Sequence, residues 1–141
     1  MEPEHESLAE AFWSVSRALR HQSKITMGPY DLTPSQGRAL GELMRHGAMR
    51  PSDLADHLRI APRSATQVID ELQERGLVTR QADPSDRRAT LVVLTPSGES
   101  TGQAIRSARV AESERVFGTL SQRDQATLGR ILRALREAMD G

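Results

Sequence analysis

The sequence predicts a mainly helical protein with one small β-hairpin, organised as a winged helix-turn-helix with further helices on both sides. Apolar residues recur every three or four positions along most of the 141 residues, which is the spacing of amphipathic helices. Near the middle, two short helical patterns are separated by only three residues, as in a helix-turn-helix. Directly after them the apolar pattern alternates over two short stretches, which predicts the hairpin, or wing.

The overall composition limits the classes of protein to consider. Nineteen basic and nineteen acidic residues give a net charge of zero, which argues against binding nucleic acid by bulk charge but allows a local basic patch. The absence of cysteine excludes disulfides, thiol nucleophiles and cysteine zinc sites. No apolar stretch is long enough to span a membrane, and the N-terminus is acidic where a signal peptide is basic. We therefore expect a soluble, cytoplasmic protein.

The first two helices have clear boundaries in the sequence. The first is predicted from Glu6 to about Met27, because Gly28 followed by Pro29 ends its helical pattern. The second begins at the N-cap Thr33, where Pro34 and Gln36 complete a capping box, and it ends at Gly47. The first helix carries an apolar stripe formed by Leu8, Phe12, Val15 and Leu19.

The helix-turn-helix consists of the third and fourth helices. The third begins at Pro51, and the fourth begins at Pro62 and ends at Gly76. Only Arg59, Ile60 and Ala61 separate the two helices. Their predicted buried faces consist of Leu54, Ala55 and Leu58 in the third helix and of Ala65, Val68, Ile69 and Leu72 in the fourth.

The wing and two more helices complete the chain. Residues 77–81 and 90–94 alternate as two strands, and the polar stretch 83–88 between them forms the predicted turn. Helix five is predicted from Pro96 to about Gly118, and Ser121 opens the last helix in capping-box fashion. The last helix carries a second apolar stripe, formed by Leu128, Ile131, Leu132, Leu135 and Met139.

The two apolar stripes near the chain ends favour a homodimer. The stripes could instead close a core within one chain. However, a monomer this small with two amphipathic terminal helices would leave apolar area exposed. We therefore predict a dimer interface that includes Leu8, Phe12, Val15, Leu19, Leu128, Ile131, Leu132 and Leu135. Residues 33–95 form the predicted winged lobe, and residues 1–32 with 96–141 form the predicted dimerisation region.

The fourth helix carries the first indication of DNA binding. Its first turns expose Arg63, Ser64, Thr66 and Gln67, although the helix dipole favours acids at this end. A DNA phosphate or guanine edge facing Arg63 explains this inversion, and Gln67 can pair with adenine. Alternatively, these residues form an ordinary solvated helix face, with Glu71 and Arg75 as an ion pair one turn apart.

The wing carries the second indication. Arg87 and Arg88 lie in the predicted turn, where an arginine can enter a narrow minor groove. The neighbouring Asp86 can hold the guanidinium in the required direction through a charge-assisted pair. The alternative is good turn chemistry with solvated charges. Both features in one chain, in the order helix then hairpin, favour DNA.

The most specific motif combines the wing with the segment that follows it. The residues that carry a family resemblance are Leu54-Ala55, Ala61-Pro62-Arg63-Ser64-Ala65-Thr66, Leu72, Arg75-Gly76-Leu77-Val78, Asp83-Pro84-Ser85-Asp86-Arg87-Arg88 and Leu94-Thr95-Pro96-Ser97-Gly98. With them the chain resembles the multiple-antibiotic-resistance regulator (MarR) family over essentially its whole length. Two positions depart from the family pattern, because Arg50 and Ala61 occupy helix N-caps where Ser or Thr is commoner.

The resemblance implies a homodimer whose N- and C-terminal helices interlock and whose winged lobes bind a palindromic operator. It assigns Arg88 to the minor groove and Asp86 to orienting Arg88. It also implies transcriptional control, usually repression, that a small phenolic or anionic ligand relieves. The absence of cysteine excludes the peroxide-sensing branch of the family.

Candidates for other sites are weaker. Trp13, Arg17, His21 and Tyr30 lie where the first helix approaches the winged lobe and could hold a small aromatic or anionic effector, although packing or solvation also explains them. No histidine pair has metal-ligand spacing, so we expect neither a metal site nor a cofactor. The chain also lacks a Gly-rich phosphate loop and a nucleophile elbow, so we do not expect an enzyme.

Together these observations predict a DNA-binding transcriptional regulator whose partners are double-stranded DNA with a pseudo-palindromic operator and a second copy of the chain. Two alternatives stay open at this point. One is a winged-helix module that binds a protein partner, which the zero net charge favours slightly. The other is an architectural DNA binder without sequence preference.

Overall fold

A computed structural model describes residues 5–141 and is mainly helical, as predicted. The elements follow the predicted order, with one turn of 3-10 helix at Gly28–Tyr30 after the first helix. The chain forms two compact units, one ending at Arg106 and the other spanning 107–141. The helices and strands are α1 Leu8–Met27, α2 Pro34–His46, α3 Pro51–Leu58, α4 Pro62–Glu74, β1 Val78–Asp83, β2 Asp86–Leu94, α5 Pro96–Phe117 and α6 Gln122–Asp140.

Local capping chemistry sets several helix starts. The Thr33 hydroxyl accepts a hydrogen bond from the Gln36 N–H, and the Gln36 side chain accepts one from the Thr33 N–H, so the predicted capping box of α2 is confirmed. A second capping box, which the sequence analysis did not identify, joins Ser7 and Glu10 at the start of α1. Arg50 and Ala61, by contrast, provide no side-chain cap to α3 and α4.

The core of the first unit lies between the helix-turn-helix and the wing. Leu40 and Leu43 of α2 are buried against α3, α4 and the hairpin. The predicted inward faces of α3 and α4 are confirmed, since every residue assigned to them is buried. The largest fully buried side chains are Met27, Leu40, Leu43, Leu54, Ile69, Leu72, Val78 and Val92.

The hairpin is longer than predicted. The strands pair antiparallel from Val78 opposite Leu94 to Ala82 opposite Thr90, and the register shifts before Asp83 pairs with Asp86. Only Pro84 and Ser85 remain as the turn, so Arg87 and Arg88 belong to β2 and do not lie in a turn. The sequence pattern missed this extension because residues 86–88 are polar and all exposed, so they show no apolar alternation.

Two long-range contacts hold the hairpin against the helices. Met49, just before α3, forms an isolated bridge with Val92, with N···O distances of 3.3 and 2.8 Å. At the base of the hairpin, the Thr95 hydroxyl donates to the Gly76 carbonyl at 2.6 Å and accepts from the Gly98 N–H at 3.0 Å. Both strands of the wing are therefore fixed to the helical core near their bases.

The second unit contains the C-terminal part of α5 and all of α6. The Ser121 hydroxyl accepts from the Asp124 N–H at 3.1 Å and caps α6, which confirms one of the two hydrogen bonds of the predicted capping box. No residue of α6 is fully buried. The predicted division into a winged lobe and a dimerisation region stays a prediction, because it concerns function in the assembled protein.

Candidate nucleic-acid interface

The recognition-helix candidate, α4, is anchored by one face and free on the other. Its buried side chains are Ala65, Val68, Ile69 and Leu72, and Ala65 and Ile69 are completely inaccessible. The chain enters α4 through Arg59, which adopts a left-handed conformation with φ 55°. All four predicted contact residues are exposed, namely Arg63, Ser64, Thr66 and Gln67.

The first turn of α4 has positive character. It contains no acidic side chain, and Arg63 forms no ion pair or hydrogen bond among the residues that the structure describes. The exposed N–H groups of a helix start add a partial positive charge at this end. This end of α4 is therefore suited to a phosphate or to the acceptor atoms of guanine. The Thr66 hydroxyl donates to the Pro62 carbonyl at 3.0 Å and keeps only its acceptor capacity.

Gln67 is positioned by a chain of hydrogen bonds. Its amide donates to Glu71 Oε1 at 3.3 Å, and Gln36 of α2 donates to Glu71 Oε2 at 2.6 Å. Glu71 does not pair with Arg75, so the ordinary ion pair considered for this helix face does not form. An amide has two N–H donors and an acceptor oxygen, so Gln67 can hold Glu71 and still pair with adenine.

The wing turn is organised by Asp83. One oxygen of its carboxylate accepts hydrogen bonds from the Ser85 N–H and hydroxyl at 2.9 and 2.8 Å, and the other accepts two from the Arg50 guanidinium at 3.1 and 2.9 Å. These hydrogen bonds, first those from Ser85 and then those from Arg50, hold the pKa of the Asp83 carboxyl below its ordinary value. Asp83 is only 8% exposed, which is unusual for a residue at the tip of a hairpin.

Arg87 and Arg88 are both exposed, and neither guanidinium forms an ion pair within residues 5–141. Asp86 does not grip the guanidinium of Arg88 in this structure. Its Oδ1 accepts a hydrogen bond from the Arg88 backbone N–H at 3.0 Å instead. Asp86 thus holds the backbone from which the Arg88 side chain projects. Its role as the wing support that orients Arg88 stays a prediction.

Other arginines of the same lobe are used within the chain. Besides Arg50, Arg75 donates to the backbone carbonyls of Tyr30 and Asp31, and Arg80 pairs with Asp70. This contrast divides the arginines into structural ones and ones without a partner among residues 5–141. Arg38 on α2 belongs with the latter, since it is exposed and has no recorded partner among the described residues, and the sequence analysis did not select it.

The residues that position these groups were also missed from the sequence. Arg50 and Asp83 are 33 residues apart, and Gln36 and Glu71 are 35 residues apart. The one indication in the sequence is Arg50 at a helix N-cap where Ser or Thr is commoner. By itself this residue indicates only that α3 lacks a side-chain cap. Its side chain in fact spans to the wing.

The four effector candidates do not form a cluster through hydrogen bonds or ring contacts among the described residues. Trp13, Arg17 and His21 are exposed on α1, and Trp13 packs edge-on against the neighbouring Phe12, with ring centroids 5.7 Å apart. Tyr30 is half-buried and packs against the core of the winged lobe. Their assignment to a ligand site stays a prediction.

Large apolar side chains remain uncovered on both outer helices. Leu8 is 89% exposed and Leu135 is 52% exposed. No helix in the part of the chain from residue 5 onward has the length and apolar character to cross a membrane. The other predicted interface residues are exposed or half-buried, and they are Phe12, Val15, Leu19, Leu128, Ile131 and Leu132.

Comparisons with known proteins give consistent results. Residues 30–89 match a sequence model described as MarR family. An uncharacterised HTH-type transcriptional regulator from Mycobacterium bovis, Mb0904, is 36% identical over 121 residues, which cover 86% of this chain and 82% of that protein. The HTH-type transcriptional repressor MdtR from Bacillus subtilis is 25% identical over 115 residues, covering 82% and 74% of the two chains.

A solved structure is similar over nearly the whole chain. It is that of BpsR from Bordetella bronchiseptica, described in connection with regulation of its DNA binding by 6-hydroxynicotinic acid. The two proteins are 25% identical, the TM-score is 0.80, and the similarity covers 95% of this chain and 97% of BpsR.

Proposed function

The chain belongs to the MarR family of transcriptional regulators, and we propose that it is a homodimeric repressor whose two winged lobes bind a pseudo-palindromic operator. The predicted assignment as a DNA-binding transcriptional regulator is confirmed at the level of the family. The observation that carries the more specific proposal is the set of exposed arginines at the start of α4 and in the wing that have no partner within the described part of the chain.

These arginines differ from their neighbours in having no acceptor among residues 5–141. Arg50, Arg75 and Arg80 each bind acceptors inside the same lobe, whereas Arg63 and Arg88 face solvent without an acceptor among the described residues. Guanidinium groups bind phosphates and guanine edges through paired hydrogen bonds. We assign Arg63, Ser64, Thr66 and Gln67 to the major groove and Arg87 and Arg88 to the adjacent minor groove or backbone.

The dimer supplies the geometry for a palindrome. The uncovered apolar side chains of α1 and α6 provide an interface, since patches of this kind mark association sites. Two-fold symmetry would place the two α4 helices about 34–36 Å apart, one turn of DNA, over an operator of roughly 16–20 base pairs. Such a regulator acts on chromosomal DNA, so we assign it to the cytoplasm. Its proposed function is binding and includes no catalytic step.

Control by a small molecule is part of the proposal. An aromatic or anionic effector would bind near Trp13, Arg17, His21 and Tyr30 and stabilise a spacing of the two lobes that does not fit the groove. The description of BpsR supports this class of effector. MdtR supports repression as the sign of control.

DNase footprinting on the intergenic DNA beside the gene tests the proposal. We expect a protected segment with two symmetric halves that vanishes at high salt, because phosphate contacts release counterions. In a screen of aromatic acids, the compound that acts as the effector should abolish the protection. Uniform coating without a footprint would indicate an architectural binder, and no binding at all would indicate a protein-interaction module.

A further inference from the structure

We propose that Glu42, His46 and His57 form a binding site for a divalent transition-metal ion, such as Zn²⁺, between the C-terminal ends of α2 and α3. The site is separate from the exposed arginines, and its ligand is a metal ion and neither DNA nor the small effector. It can be tested without DNA, so its outcome does not depend on the proposed operator binding.

The three side chains converge on one point. Glu42 and His46 are one helical turn apart on α2, and the packing of α3 against α2 brings His57 to them. Glu42 Oε2 lies 3.2 Å from His46 Nε2 and 3.8 Å from His57 Nδ1. One ligand atom from each residue lies within 4.8 Å of the other two. The two imidazole rings stack with centroids 4.5 Å apart.

This spacing is close to that of a bound zinc ion. Zinc bonds to histidine and carboxylate are about 2.0–2.2 Å long, so neighbouring ligand atoms in a tetrahedral site are about 3.3 Å apart. The two distances from Glu42 Oε2 to the imidazole nitrogens, 3.2 and 3.8 Å, lie near this value. Two imidazoles and one carboxylate leave a fourth position for water or another donor.

The donor set favours a particular class of metal. Imidazole nitrogens bind Zn²⁺, Cu²⁺ and Ni²⁺, whereas Mg²⁺ and Ca²⁺ prefer oxygen donors. Two nitrogen donors and one oxygen donor therefore favour these transition-metal ions over Mg²⁺ and Ca²⁺. The absence of cysteine leaves histidine as the main side-chain donor for Zn²⁺ besides the carboxylates.

The surroundings also favour a cation. His46 is the last residue of α2 and His57 lies in the last turn of α3, where unpaired carbonyls carry partial negative charge. The two histidine side chains are 42% exposed, so an ion can enter from solvent. Arg45 binds the other oxygen of Glu42, Oε1, at 3.4 Å and leaves Oε2 facing the histidines.

No pair of histidines in the sequence has ligand spacing, so histidine pairs alone do not indicate this site. Glu42 and His46 have the four-residue spacing of helical metal ligands, but the partner that completes the set lies eleven residues further along the chain. Only the packing of α3 against α2 makes the third ligand available.

Isothermal titration of the untagged full-length protein with ZnCl₂ tests the proposal. We expect one ion per chain and an affinity that falls by at least about tenfold in His46→Gln, His57→Gln and Glu42→Gln, since loss even of an outer-shell partner costs about 10–100-fold. His5→Gln, at an exposed histidine just before α1, is the matched control and should bind like the parent. Equal affinity in all four variants, or absence of binding by the parent, would overturn the proposal.

A second measurement uses the parent protein and does not depend on variants. In imidazole-detected NMR spectra, Zn²⁺ should shift the ring signals of His46 and His57 together and leave those of His5 and His21 in place. Thermal unfolding should move to higher temperature with Zn²⁺ in the parent and in His5→Gln, and not in the variants of Glu42, His46 and His57. Shifts confined to His5 or His21 would show surface binding and contradict the site.

Discussion

Arg50 and Asp83 join the helix-turn-helix to the wing through two hydrogen bonds, from Arg50 Nε and Nη2 to Asp83 Oδ2 at 3.1 and 2.9 Å. Arg50 occupies the N-cap of α3, and Asp83 ends β1. Because Asp83 also binds Ser85, one carboxylate fixes both the turn of the wing and its attachment to the helices. The strand that carries Arg87 and Arg88 starts three residues after Asp83, so the contacts of Asp83 also position this strand.

Asp83 should contribute to stability in a pH-dependent way. The hydrogen bonds from Ser85 and Arg50 lower the pKa of Asp83 in the folded protein below 3.8, so its contribution is complete above about pH 4–5 and is lost as the pH falls through the folded pKa. Asp83→Asn should therefore flatten the loss of stability below pH 4 in urea unfolding. Asp56→Asn, at an exposed carboxylate of α3, is the control and should keep the slope of the parent, whereas equal slopes for the parent and Asp83→Asn would contradict this role.

Gly98 should be intolerant of any side chain. A Cβ at this position would collide with the backbone carbonyl oxygen of Leu77, which cannot move without disturbing the base of the wing. We expect Gly98→Ala to lower the free energy of unfolding by about 1–3 kcal/mol in chemical denaturation. Gly41→Ala on α2 is the matched control, because its Cβ meets nothing within 4 Å, and it should raise stability by about 0.4–1 kcal/mol. The reverse order of the two variants would show that the approach to Leu77 is not constraining.

Gln67 should determine the preference for one base pair in each half-site. Removing its amide in Gln67→Ala should cost about 1–3 kcal/mol of discrimination at that position and little affinity for random DNA. Competition binding with a set of singly substituted operators measures the effect. Gln22→Ala on α1 serves as the control. A uniform loss of affinity for all sequences would assign Gln67 to the DNA backbone.

Leu135 should be essential for dimerisation. Leu135→Glu places a charge within the apolar stripe of α6 and should convert the dimer to a monomer of 15.6 kDa, measured by sedimentation equilibrium. Arg130→Glu changes the charge on the opposite side of the same helix and should leave the dimer intact. A dimeric Leu135→Glu variant would remove α6 from the proposed interface.

Local chemistry made much of the fold predictable. Thr33, Pro34 and Gln36 specify the start of α2 by contacts within four residues, and the three-residue turn before Pro62 is equally local. The exposed contact residues of α4 followed from the helical spacing of its buried face. These features needed no knowledge of distant parts of the chain.

Contacts between distant residues were not predictable. The wing extends to Asp83 and Asp86 because Arg50 and Met49 attach it to the helices, and nothing in the local sequence of residues 83–88 indicates these partners. For the same reason Glu71 could be paired with Arg75 by spacing, although Gln36 is its partner in the structure. Polar positioning residues depend on tertiary packing, which a periodic pattern does not encode.

The measurement that tests the central claim most directly is a gel-shift titration of the footprinted operator with the Arg63→Ala/Arg88→Ala double variant. We expect its affinity to fall at least about thirtyfold, since each of the two contacts contributes about 1–3 kcal/mol, while its sedimentation as a dimer stays unchanged. Arg123→Ala on α6 removes the same charge outside the winged lobe and should bind like the parent. Equal operator affinity in the double variant and in Arg123→Ala would contradict the account of how this protein binds DNA.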